Sequence, residues 1–444
     1  RMLIVARSGT KAKREYELVI DGLTHDGRGV GRHESKAVFV TGALVGERVL
    51  AEQTGRKRNY DEAMVTAVLQ RSPDRIEPKC PHFGVCSGCV LQHMSAEKQI
   101  GAKQQVLLDN LQRIGHVVPG RVLPVLTSQA WSYRRKGRFS VRYVEKKGGV
   151  LVGFREHDPR YVAHLSQCHT LVPEIAALII PLSELVGAMS AKRDITQIEF
   201  IRGDGPPALV FRHHSALDEA DLSLLRAFGE RHDAQIFLQP GSVQTVHPIR
   251  ADYPPLVFEL AASGILFQFK PLDFIQVNAA MNEVMIERTL HLLEPKPADV
   301  VLDLFCGLGN FTLPLAKRVG EAVGVEGDQG LVDRAKENAQ RNGIANAVFF
   351  AADLSQDISA QLWKTQRFNK ILLDPPRAGA LDVLKQLNLK GVERIVYVSC
   401  HPASLARDAA YLVQERGYRL SQAGAMDMFP QTAHVESIAV FEAV

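Results

Sequence analysis

The spacing of apolar residues changes along the chain and divides it into three regions. Between residues 15 and 70 they fall in short β-rich runs, "EYELVIDGL", "KAVFVTGAL", "GERVLAEQ" and "EAMVTAVLQ", joined by "THDGRGVGR" and "TGRKRNY". Closely spaced short strands with glycine turns predict a five-stranded barrel of the OB type over residues 14–71. Residues 72–265 open with the linker "SPDRIEPKCP" and a cysteine cluster. The stretch "SAEKQIGAKQQVLLDNLQRIG" then sets apolar residues at helical spacing behind Ser95 as N-cap. Next, "WSYRRKGRFSVRY" alternates as a strand does, so this region reads as an α+β central domain. From 266 to 444 the alternation is regular. Strands are predicted at "DVVLDLF", "AVGVEG", "AVFFAAD", "KILLDPP", "RIVYVS" and "ESIAVFEA", with helices in "NFTLPLAKRV" and "GLVDRAKENAQRNG". That order predicts a doubly wound, Rossmann-like α/β sheet.

Composition adds little, but charge does more. The 444 residues are 46% hydrophobic and 23% charged, as in ordinary globular proteins, and net charge is only +4. Residues 1–150, however, hold 26 Lys and Arg against 14 acids, a balance of +12, whereas the remainder carries −8. This asymmetry suits a polyanion gripped by one part and worked on by another, or else a solvated basic face. Arg28, Arg32, Arg56, Lys57, Arg58 and Tyr60 fall in the barrel's connections, where such barrels meet nucleic acid. In "WSYRRKGRFSVRY", Arg134, Arg135, Lys136, Arg138 and Arg142 interleave with Trp131, Tyr133, Phe139 and Tyr143. Phosphate contact with base stacking and a solvated strand with a half-buried aromatic face both fit it. No apolar run reaches the roughly 18 residues of a membrane span. The opening "RMLIVARSGTKAK" is too short in its apolar part for a signal peptide core, so a cytoplasmic protein is expected.

Two constellations carry chemistry. The turn in "VVLDLFCGLGNFTLPLA" brings Gly307 and Gly309 to a strand end but lacks GxGxxG and a Walker lysine, which disfavours dinucleotides and nucleoside triphosphates. Glu326, nineteen residues after Gly307, ends the next strand and suits ribose hydroxyls. Asp353 and Asp374 tip the third and fourth strands. Acid-tipped strands around a glycine loop suit a cofactor with ribose, adenine and a positive sulfonium, namely S-adenosylmethionine, and hence a class I methyltransferase domain. The second constellation is "CPHFGVCSGC", with Cys80, Cys86 and Cys89, to which Cys168 in "LSQCHTL" adds a fourth thiol. Four thiolates suit zinc or a [4Fe–4S] cluster, and His82 or His93 offers an alternative zinc ligand. The run "RIVYVSCHP" delivers Cys400 at a strand end, where a buried packing thiol and a nucleophile are both open readings.

The segments "DFIQVN", "LDLFCGLGNF", "LLDPPRAG", "VYVSCHPASLARD" and "MDMFPQTAHVES" resemble the signature segments of the RNA uracil-C5-methyltransferases. The resemblance implies that Cys400 is the nucleophile and Glu436 the base that removes the C5 proton. It also implies that Gln276, Phe305, Asn310, Glu326, Asp353 and Asp374 contact S-adenosylmethionine, Asp353 standing where some members carry asparagine. Cytosine-directed relatives carry a second cysteine beside the fourth-strand proline; "DPPRAG" has none, which favours uracil and leaves Cys306 as a packing residue. The barrel resembles a TRAM domain. The ribosomal branch is similar also in its cysteine pattern, which implies that Cys80, Cys86, Cys89 and Cys168 hold a [4Fe–4S] cluster. The expectation is therefore a monomeric enzyme that methylates a uridine of 23S rRNA. A transfer-RNA uracil methyltransferase and an inactive redox-sensing RNA-binding protein are its rivals.

Overall fold

The computed structural model describes residues 14–444; the opening "RMLIVARSGTKAK" lies outside the described residues. The first unit is a closed barrel. Strand Glu15–Val19 pairs with Arg48–Arg56, followed in the sheet by Tyr60–Gln70, Lys36–Thr41, Gly29–His33 and Gly22–Leu23. The first strand bends through Ile20 and Asp21, and Asp21 N donates to Val30 O at 2.9 Å, which closes the sheet on itself. Inward residues alternate as a half-buried strand requires, with Tyr16, Leu18, Ile20, Val38, Val40 and Val49 filling the interior. The run "GVGRH" was expected within a connection and is instead a strand. Its glycines mark close packing: a Cβ on Gly29 would lie 2.9 Å from Ile20 Cγ2.

The central sheet has the order His247–Pro248, Gln235–Gln239, Ala208–His213, Ile195–Ile201, Lys136–Val144, Gly149–Gly153. Helices Ile179–Ala188 and Glu219–Arg231 contribute Leu182, Val186, Leu225 and Phe228 to a core shared with Phe139, Phe200 and Phe211.

The carboxyl-terminal sheet has eight strands in the order Ala347–Ala351, Glu321–Glu326, Val300–Leu304, Lys370–Leu373, Arg394–Ser399, Glu436–Ala443, Tyr418–Met426, Arg121–Val122. The first five run parallel. Glu436–Ala443 inserts antiparallel between Arg394–Ser399 and Tyr418–Met426. The order in which successive strands are added reverses at Val300–Leu304, which creates a crevice at the strands' carboxyl ends.

Two segments that precede residue 266 pack on this sheet. Helix Ala96–Arg113 buries Leu107 and Leu111 against Leu405, Ala409 and Leu412 of helix Pro402–Glu415, and Arg121–Val122 forms the sheet's edge. Hairpin Leu256–Leu260/Ile265–Phe269 shares a core with Met281, Met285 and Val301. Amphipathic spacing predicts such a helix but not which sheet it covers. Among the described residues, no helix is long and apolar enough to cross a membrane.

Candidate active site

Strand pairing brings Cys400 and Glu436 to one cavity. The antiparallel ladder between their strands ends at the pair Ser399–Ser437, and Cys400 and Glu436 lie one residue beyond it on either side and line one cavity. His401 and Pro402 end the strand for a local reason. Pro402 is the first residue of helix Pro402–Glu415, where its missing N–H is harmless, and His401 caps that helix by accepting from Ser404 N. The Ser404 hydroxyl donates to Arg377 O at 2.6 Å, tying this turn to the "DPPRAG" loop. Asp408, fully buried, finishes the brace. It accepts from Tyr397 Oη and Ala380 N, both at 2.7 Å, so strand, helix and loop meet on one carboxylate.

Cys400 and Glu436 line a cavity of about 530 Å³ together with Gln276, Phe305, Asn310, Glu326 and Asp374. Five of the six residues expected at the cofactor therefore converge with Cys400 and Glu436. Asp353 does not line the cavity; it is exposed two residues past its strand and accepts from Ser355 N and Oγ. The glycine turn is left-handed at Phe305 (φ 64°), Gly307 (φ 55°) and Gly309 (φ 88°). A bulky residue with positive φ is strained, and such strain gathers where backbone must approach a ligand. Glu326 holds the turn by accepting from Gly307 N at 3.0 Å while its other oxygen accepts from Gly327 N. Asn310 is held by Asn282 through a reciprocal pair of amide bonds of 3.0 and 2.8 Å. Nothing in the sequence pattern singled out Asn282, which lies on the buried face of helix Ala279–Leu293.

The site is crowded with carboxyl groups. Burial pushes Asp303 up to about 8 and Asp374 up to about 7, and Glu436 stands well above the usual carboxylate range through burial, with Asp374 adding to it. Among the described residues Asp303 Oδ1 has no hydrogen-bond partner. Burial, then Glu436 and Asp374, push the Cys400 thiol up to about 11, against a smaller opposing effect of Arg377. Removing several carboxylates from water without a cation favours their neutral forms. The arrangement calls for a positive ligand.

The whole chain can now be set beside known proteins. Residues 96–444 match the family described as tRNA (Uracil-5-)-methyltransferase, and residues 10–65 match the TRAM domain. The chain belongs to the uracil-5-methyltransferase family. A relative from Stenotrophomonas maltophilia (strain K279a), named 23S rRNA (uracil(1939)-C(5))-methyltransferase RlmD, is 60% identical over 442 residues, covering 99% of this chain and 100% of its own. One of the same name from Xanthomonas campestris pv. campestris (strain 8004) matches at 60% over the same shares. The crystal structure of Pyrococcus abyssi tRNA (uracil-54, C5)-methyltransferase in complex with S-adenosyl-L-homocysteine superposes with a TM-score of 0.73 at 22% identity, covering 96% of this chain and 100% of that one. It shows that the fold is shared.

In this uracil-5-methyltransferase a second space, of about 510 Å³, meets the first at Cys400 and Arg377. Its walls come from all three units: His25 and Asp26 of the barrel, Ser87, Gly88 and Val90 of the cysteine loop, and Thr432–Val435 of the loop ahead of Glu436. Arg377 makes no ion pair among the described residues. Arg32, Arg56, Lys57 and Arg58 are exposed on the barrel. Arg28, expected among the contact residues, is instead held by Asp26 at 2.9 Å and Glu62 at 3.2 Å. "WSYRRKGRFSVRY" works largely inward: Tyr133 and Phe139 are buried, and Arg135 Nε donates to Gln276 O at 2.9 Å beneath the Phe258 ring. Arg135 thus braces a residue that lines the cavity of about 530 Å³, whereas Arg138 and Arg142 are exposed.

Cys80, Cys86, Cys89 and Cys168 line one small cavity with Arg134 and His82, so the fold brings Cys168 to the clustered three. His93 is fully buried against Phe83 and does not line it. Among the described residues no three ligating side chains meet closely enough to hold a single ion; the thiols surround a space.

The crowding at Cys400 predicts its reactivity. Without ligand, alkylation of Cys400, followed by mass spectrometry of its peptide, should climb about tenfold per pH unit from neutrality to beyond pH ~10, whereas an ordinary thiol levels off near pH ~8.5. A plateau near the ordinary value would show that the carboxyl groups do not act on this thiol.

Proposed function

We propose that this chain is an S-adenosylmethionine-dependent methyltransferase acting on C5 of a uridine in 23S rRNA, the uridine numbered 1939 in its relatives' names. The observation that carries the reading is that Cys400 and Glu436, just beyond the last pair of one ladder, line the same cavity and that Cys400 also lines a second. In this reading one cavity takes the cofactor, through Gln276, Phe305, Asn310, Glu326 and Asp374, and the other admits a nucleotide drawn out of its stack. S-adenosylmethionine supplies, when bound, an electrophilic methyl group and a positive charge that is lost with the transfer.

The chain's own residues then perform the chemistry in order. Arg377 faces Cys400 from the nucleotide side and favours the thiolate. The thiolate Sγ bonds to C6 of uracil, and the electron pair moves into the C5–C4–O system, so C5 becomes nucleophilic. Glu436, ionised while a cationic ligand lies in the cavity, takes the C5 proton once C5 carries the methyl group; the C5–C6 double bond re-forms and the Cys400 thiolate leaves. Burial beside Asp374 raises the proton affinity of Glu436. That affinity is greatest when no positive charge remains in the cavity, which is when the C5 proton must be accepted. The exposed Arg32, Arg56, Lys57 and Arg58 offer the barrel's phosphate contacts.

The four cysteines fit an iron–sulfur cluster. They come from two chain segments, enclose a space rather than a point, and have Gly88 N donating to Cys86 Sγ with Arg134 alongside. Burial, the largest influence on both, pushes Cys86 up to about 11 and Cys89 up to about 12, so an empty site holds thiols. We propose that Cys80, Cys86, Cys89 and Cys168 hold [4Fe–4S] in the resting protein.

The chemistry is tested by trapping. With RNA and S-adenosylmethionine, Glu436→Gln should accumulate a denaturation-resistant protein–RNA adduct carrying the transferred methyl group. Cys400→Ala should form no adduct and lose at least about 10⁴-fold in rate while still binding RNA. Product release at the wild-type rate by Glu436→Gln would remove Glu436 from the mechanism. The cluster is tested by composition: protein purified without oxygen should be brown with about four irons per chain. A colourless, fully active protein with one zinc per chain would refute it.

A further inference from the structure

The loop that ends in Glu436 is not held by its own strand alone. Met426 pairs with Glu436 across the sheet, so residues 427–435 form a detour between two adjacent strands. Its middle is fastened to Gln99, on helix Ala96–Arg113. Gln99 Oε1 accepts from Gln431 N at 2.9 Å, and its Nε2 faces Gln431 Oε1 at 2.9 Å, Leu91 O at 3.0 Å and Met94 O at 2.9 Å. Gln431 takes a left-handed conformation, φ 72°, and its carbonyl accepts from both Val90 N at 3.0 Å and Leu91 N at 3.1 Å. Both glutamines are almost wholly buried, 1% and 3% exposed. One turn along the helix, Lys103 donates to Asp427 at 2.7 Å and to Phe429 O at 3.0 Å. Tyr133 Oη donates to Pro430 O at 2.8 Å.

These bonds join two features otherwise far apart in the chain. Val90 and Leu91 directly follow Cys89, whereas Phe429 lines the cofactor cavity and Thr432–Val435 line the nucleotide cavity. A left-handed glutamine is strained and persists only where its surroundings over-determine it. Buried amide pairs with every group satisfied are rigid, and they lose that rigidity together when one member goes.

We propose that Gln99 and Gln431 are positioning residues that set Glu436 for removal of the C5 proton, and that through them the cysteine loop governs that step. The proposal rests on Glu436 being the base. It predicts a step-specific defect, since displacing a base by about 1 Å slows its own proton transfer far more than steps it does not enter.

The test is single-turnover kinetics of the full-length protein with RNA and methyl-labelled S-adenosylmethionine. Label reaching RNA in any form is followed separately from the decay of the covalent adduct. Gln99→Ala should slow adduct decay at least about tenfold, with methyl transfer and cofactor affinity within about threefold of wild type. Gln99→Glu keeps the acceptor for Gln431 N but lacks the amide donor, and it should fall between the two; it also serves if Gln99→Ala folds poorly. Oxidative loss of metal from the wild-type protein should slow the same step, and should add nothing in Gln99→Ala. A uniform fall in all steps, or unchanged decay in both variants, overturns the proposal. If Glu436→Gln fails to trap adduct, it is the assignment of the base that fails instead.

Discussion

The structure is organised around carboxyl groups gathered at the carboxyl ends of its central strands with too little positive charge to balance them. Asp303 and Asp374 lie at the carboxyl ends of two adjacent strands and Glu436 begins a strand two places further along the sheet, and burial holds each above the ordinary carboxylate range. An uncompensated buried charge costs several kcal/mol even after relaxation, so these acids favour their neutral forms unless a cation lies beside them. A sheet tolerates this because the strands are fixed elsewhere. Their apolar centres, such as Val301, Leu302, Val396 and Val398, are fully buried in two cores on opposite faces. Stability resides in the sheet, and the charge imbalance is confined to its rim. A cationic cofactor relieves the imbalance, and its conversion to a neutral product restores it.

The other units are arranged about that rim. The barrel and the cysteine loop close the nucleotide side of Cys400, and the central sheet's first long strand reaches the cofactor side through Arg135 and Gln276. Helix Ala96–Arg113 links them: one face is buried against helix Pro402–Glu415, and Gln99 and Lys103 hold the loop ahead of Glu436. The cysteine loop and the loop ahead of Glu436 thereby share one set of buried polar contacts.

Much of this was legible in the sequence. Strand ends could be read because apolar runs stop abruptly at Asp374 and Cys400, and the doubly wound order follows from their spacing. The pairing of Cys400 with Glu436 came from resemblance, since no spacing rule joins residues on strands separated by a helix and a third strand. Strand Tyr418–Met426 was missed because Arg419, Ser421, Gln422 and Gly424 dilute its apolar signal while its neighbours supply the burial. The direction of "WSYRRKGRFSVRY" was open because period-2 alternation separates two faces without saying which is covered. Arg28 looked free because its partner Glu62 lies on another strand of the barrel. The barrel's extra strand was hidden by glycines that serve packing as well as turns.

The central claim is that the site is built to accept a positive charge, and proton linkage measures this directly. Calorimetric titration of the ligand-free protein near pH ~6, in buffers of different ionisation enthalpy, counts protons released on binding. With Asp374 at about 7, the acid is mostly protonated at that pH. Binding S-adenosylmethionine should therefore release most of a proton and strengthen as pH rises towards 7, whereas neutral S-adenosylhomocysteine should release far less. Equal proton exchange for the two ligands would contradict the account.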